Sequence, residues 1–134
     1  MKQTFSDSPY TSFPAAVPAN LVGMEGYAVE LVPGTTTIQL YTATAGRPLL
    51  GWLLERLEGD VTWTVRLAGK GGTVRAIAGD GSITQAPCYV KAQNGGTMVL
   101  ATSGNQAHGI KINPPVADAQ GDVIEINDNF IVVP

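Results

Sequence analysis

Apolar and polar residues alternate in short runs along this chain, and a Gly-, Pro- or Asx-rich turn interrupts the alternation about every ten residues. In Val61-Thr62-Trp63-Thr64-Val65-Arg66-Leu67 the apolar set falls at every second position, with Thr62, Thr64 and Arg66 between. That period of two is the mark of a half-buried strand. The same rhythm begins at Tyr27, where Tyr27, Val29 and Leu31 alternate with Ala28, Glu30 and Val32 before a turn at Pro33-Gly34. It predicts a return strand over 37–41, then strands over 73–78, 87–92, 97–101, 108–112, 122–126 and 130–134. Asn94-Gly95 between two such runs is a strong hairpin signal, because both residues tolerate positive φ. Residues 49–58 are ambiguous: Leu50, Leu53, Leu54 and Leu57 fit a helical stripe, but Pro48, Gly51 and Gly59-Asp60 leave little room for a stable helix. A buried strand is the better reading. About nine strands with turns throughout predict an all-β fold, a compact antiparallel β-sandwich or barrel, over residues 26–134.

Residues 1–25 break the rhythm. Ser, Thr, Pro, Asn and Ala dominate, Pro9, Pro14 and Pro18 oppose helix, and Phe5, Tyr10 and Phe13 are spaced along the stretch. An extended N-terminal arm follows, with three rings able to dock into pockets of a neighbouring protein. The alternative is a tail folded back on its own domain. With a separate arm, deleting residues 2–20 should leave a folded body.

Charge changes the picture. Asp, Glu, Lys and Arg make up 14% of the chain, against about 25% in an ordinary soluble domain. Such a sparsely charged surface suits burial against other subunits. The net charge of -3 gives no footprint for nucleic acid and no polybasic stretch for a membrane surface. No apolar run approaches the ~20 residues of a membrane span, and the first residues lack the apolar core of a signal peptide. The single Cys88 excludes an intrachain disulfide framework and fits assembly in a reducing compartment, the cytoplasm of the producing cell.

Candidate chemistry is thin. His108, the sole histidine, makes neither a zinc site nor a catalytic triad convincing. It could pair with Cys88 as base and nucleophile, against the plainer reading of a buried thiol and a strand-end imidazole. Asp60, Asp80, Asp118, Asp122 and Asp128 fall where turns are expected, and Gly79-Asp80-Gly81 reads as a turn former. Asn127-Asp128-Asn129 could offer oxygens to calcium but lacks the spaced carboxylates of a loop site. Gly69-Lys70-Gly71-Gly72 lacks the phosphate-loop pattern. Trp52 and Trp63 could stack a sugar, yet both sit among core-facing aliphatics. No catalytic residue, cofactor or metal is expected.

From Tyr41 to Asn127 the order of short elements resembles the head decoration, or capsid cement, proteins of tailed phages. The likeness starts with Gly46-Arg47-Pro48-Leu49-Leu50-Gly51 and Gly59-Asp60-Val61-Thr62-Trp63. It continues through Gly72-Thr73-Val74-Arg75-Ala76-Ile77, Asn94-Gly95-Gly96-Thr97 and Gly109-Ile110-Lys111-Ile112, and closes with Gly121-Asp122-Val123-Ile124-Glu125-Ile126. Pro87-Cys88 departs from the family pattern, and the aromatic arm lies outside the shared core. The resemblance implies a non-enzymatic virion protein on the outer capsid surface, bridging and stabilising neighbouring major capsid protein subunits. In that setting Phe5, Tyr10 and Phe13 would be arm anchors. Self-association as a homotrimer is the first expectation and a homodimer the second. The rival readings are another virion part (a fibre base or head–tail joining protein), a small carbohydrate-binding β module, and a cysteine-dependent hydrolase.

Overall fold

The computed structural model describes residues 8–54, 62–112 and 119–134. Ten strands make up nearly all of the regular structure: β1 Tyr10–Pro14, β2 Ala28–Leu31, β3 Ile38–Leu40, β4 Gly51–Leu53, β5 Thr62–Leu67, β6 Thr73–Ile77, β7 Cys88–Ala92, β8 Met98–Leu100, β9 Gln106–Lys111 and β10 Val123–Val132. They form two five-stranded antiparallel sheets, ordered β1-β5-β4-β2-β3 and β6-β10-β9-β7-β8, and the sheets pack against each other. The fold is an all-β sandwich. In each sheet the two outermost strands are also drawn together by one parallel bridge, Ala15 to Ile38 in the first and Ala78 to Met98 in the second. Both sheets are therefore curled.

Curling gives the first sheet two buried faces. Phe13, Trp63, Val65, Leu53, Val29 and Leu40 share one face by register, and Leu21 closes it at 1% exposure. Ala28 and Trp52 share the opposite face and pack against Val74, Ala76, Ile124 and Ile126 of the second sheet. Each fully buried apolar side chain of this size contributes about 1.5–3 kcal/mol. Strands buried on both faces read as continuous apolar runs rather than alternations, which explains the ambiguity of residues 49–58. Their described part contains β4, buried throughout. Gly51 lets β4 close on β5, since a Cβ there would run into the Arg66 carbonyl.

Three expectations need correction. First, the leading segment does not stand off as an arm over its described length. β1 pairs with β5 from Tyr10↔Arg66 to Pro14↔Thr62, and Leu21 lies in the core. Tail folded on body is what forms, and residue 25 is no structural boundary. Second, the β7–β8 hairpin is present, but Gly95 and Gly96 carry the positive φ, at 95° and 84°. Gly96 N–H donates to the Gln93 carbonyl at 3.0 Å, so Gly95 takes the third turn position, where a type II turn requires positive φ. Third, residues 122–126 and 130–134 are not two strands. One ten-residue strand, β10, runs through both, with a register shift between Asp128 and Ile131. Phe5, Asp60 and Asp118 lie outside the described residues.

Candidate interaction surface

The leading strand is the most exposed strand of the body. Four of the five β1 residues are solvent-exposed, and Tyr10 stands out at 51%. Phe13 points the other way, opposite Trp63, and packs against the cluster of Leu21, Val29 and Leu53. Of the two described rings, Tyr10 faces outward and Phe13 holds the strand to its own sheet. Pro9 extends the ladder by one bond, accepting from Leu67 N–H at 2.7 Å.

Two buried charge clusters fix the loops around this surface. Arg66 on β5 reaches Asp128 on β10 at 3.2 Å, joining the two sheets. The Asp128 carboxylate also accepts Gly69 N–H at 3.0 Å and Lys70 N–H at 2.9 Å. Arg66 donates in addition to the carbonyls of Leu67 and Gly71. The glycine-rich connection after β5 is thus wrapped around an ion pair, and Asp128 serves as a clamp within a strand rather than a turn former or calcium ligand. Glu30, fully buried on β2, accepts from Thr42 N–H at 2.9 Å, Gln39 Nε2 at 2.9 Å, the Thr42 hydroxyl and Arg47. Burial alone would raise its pKa. The hydrogen bonds, led by the Thr42 N–H, together outweigh burial and hold the carboxyl below its ordinary value. Neither cluster was read from the sequence. The available signal was charge placed opposite an apolar partner on strands whose neighbours predict two buried faces.

Arg47 edges a broad, shallow depression of about 1010 Å³ floored by Tyr41, Leu49, His108 and Phe130. His108 meets Tyr41 and Phe130 edge-on at 5.8 and 5.3 Å between ring centres. Its Nδ1 accepts Ala92 N–H at 2.9 Å, just past the last β7–β9 pair, Val90↔Gly109. Here the imidazole substitutes for a missing ladder acceptor. Burial, assisted by the Lys91 charge, pushes the His108 pKa down to about 4, so the ring is neutral at pH 7. Burial, then the Glu30 charge, raises that of Tyr41. Lys91 is turned to Asn105 Oδ1 at 3.0 Å.

The structure does not assemble the Cys88–His108 pair. Cys88 lies opposite Lys111 in the β7–β9 register. His108 is three residues from Lys111 along β9, about 10 Å away and on the other face of the strand. Trp52 and Trp63 are 0% and 3% exposed, so neither offers a face to a sugar. Asp80 makes the expected turn, accepting Ser82 N–H at 2.8 Å. Among the described residues no three His, Cys, Asp or Glu side chains come together as a metal set, and no helix is long and apolar enough to cross a membrane.

Neither protein-family models nor curated proteins match the chain.

Proposed function

We propose that this chain is a capsid decoration, or cement, protein of a tailed phage. It binds the outer surface of the icosahedral head after synthesis in the host cytoplasm, bridges neighbouring major capsid protein subunits, and stabilises the shell. The observation that carries this reading is the exposed edge strand at the leading end of a sparsely charged sandwich, with Tyr10 outward at 51%. The order of elements from Tyr41 to Asn127 supports it from the sequence side. A strand at a sheet edge is a template for another chain. On β1 the outward backbone of Tyr10 meets Ser8 Oγ and Pro14 has no N–H, which leaves Ser12 to pair with a partner, and Phe5 is proposed as a further anchor.

Each contact need bury only a standard interface of about 1,200–2,000 Å². Body and leading segment touching different subunits gain further from effective concentration, and repetition over the shell multiplies the gain. Three copies at a local three-fold position form the favoured unit, with a dimer at a two-fold second. Negative-stain images of particles carrying a gold-labelled copy test the assignment. Label over the whole shell supports it, whereas label at a single vertex identifies a head–tail joining part instead.

A further inference from the structure

We infer that the outer edge of β3 is a separate docking site, which takes an extended, uncharged segment of another protein as an added strand. The hairpin register decides which backbone groups β3 spends on its own sheet. Val32 N–H donates to the Thr37 carbonyl and Tyr41 N–H to the Ala28 carbonyl, both at 2.9 Å. Paired positions alternate in an antiparallel ladder, so Gln39 faces β2, while Ile38 and Leu40 turn their N–H and C=O groups outward. Ile38 is served by the chain's own leading segment: Ala15 bridges it in parallel, and Ala16 N–H donates to its carbonyl at 3.0 Å.

One further step of that parallel ladder would require residue 18 to donate to the Leu40 carbonyl. Residue 18 is proline, which has no N–H. The chain turns away there into the single 3-10 turn Pro18–Asn20. Among the described residues no backbone group outside the hairpin bonds to Leu40. The diverging segment and the strand edge enclose a groove of about 560 Å³, with Val17, Leu21, Met24, Leu40, Tyr41 and Asn94 in its lining.

Two features select the occupant. The open N–H and C=O of Leu40 match an extended backbone. No charged side chain is among the described residues lining the groove, so an occupant carrying a charge would lose solvation without gaining a partner. A second copy is a poor source, because its uncharged strands are engaged at home: Tyr10–Pro14 pairs with β5, Ile38–Leu40 is recessed behind its own Ala15–Ala16 segment, and Met98–Leu100 pairs with β7 and meets Ala78. This site stands apart from the cement proposal. It states what β3 receives, whichever assembly the partner comes from.

The test uses the full chain, isotope-labelled, with an acetylated and amidated hexapeptide of alternating Thr and Val as probe. The expected result is that Leu40 amide exchange slows by about tenfold at saturation, with shift changes gathered at Val17, Leu21 and Leu40. Val17 is 53% exposed and Val22, outside the lining, 60%. Val17→Asp should therefore weaken binding by about tenfold, and Val22→Asp should leave it unchanged. The inference is overturned by no change at Leu40, by equal binding of a probe with Glu at its centre, or by equal losses in the two variants. Leu40 protection in the free protein that disappears on dilution would make a second copy the occupant and also overturn it.

Discussion

Asp128 and Arg66 carry the largest single-residue consequence. Removing one partner of a buried pair leaves the other charge uncompensated, typically at a cost of about 3–5 kcal/mol, whereas removing both costs far less. Asp128→Asn should lower stability by about 3 kcal/mol in urea denaturation, since its single amide oxygen keeps only one of the two loop N–H bonds that Oδ1 and Oδ2 accept. The double variant Arg66→Met with Asp128→Asn should recover at least half of that loss. An additive double variant would show that the pair is not coupled. His108 makes stability depend on pH. Its folded pKa of about 4 lies below the ordinary 6.5, so between those values the unfolded chain binds the extra proton. Stability is complete above the ordinary value and declines as pH falls through this window, by up to about 3 kcal/mol. Glu30, held below its ordinary value, loses its contribution in the same direction at lower pH. An NMR titration should find His108 neutral at pH 6, and His108→Gln should flatten the stability profile between pH 4 and pH 6.5. At this scale the sequence was least legible. A motif-based reading of Asn127-Asp128-Asn129 sees a turn, because nothing local reveals an arginine 62 positions away.

The strands were more legible than their ends. Alternation marks Trp63 and Val65 as core, and both are buried. The glycines at 95 and 96 mark a real hairpin, although the positive φ begins one residue later than Asn-Gly implies. What alternation could not reveal was tertiary pairing. The residues of β1 look like a free arm because only Phe13 of the five is partly buried, and its partner strand lies about fifty residues away. The separate-arm reading fails at a specific point, and truncation exposes it. Deleting residues 2–20 removes the cover from Trp63 and should lower the melting temperature by many degrees, well beyond the effect of deleting residues 2–8, which leaves β1 in place. Phe13→Ala, half-buried on the same seam, should cost about 2 kcal/mol. Equal melting temperatures for the two truncations would restore the separate arm.

For the whole molecule, the curled sheets bury most of their large apolar residues, while Tyr10, Val17, Val123, Phe130 and Val132 stay among the exposed ones. Among the described residues the Tyr10 ring on β1 and the Leu40 edge of β3 are accessible in the first sheet, and a body with so few charges gains solubility poorly on its own. The all-β class was legible early, since alternation is a whole-chain property. The proposed capsid partner rests on the order of short elements from Tyr41 to Asn127, which is read from the sequence. The most direct measurement of the proposed function is co-sedimentation of the purified chain with undecorated, expanded phage heads. Saturable binding is expected, with a copy number that scales with the capsid subunits and heads that resist heat better once coated. Protein left in the supernatant at every ratio would contradict it.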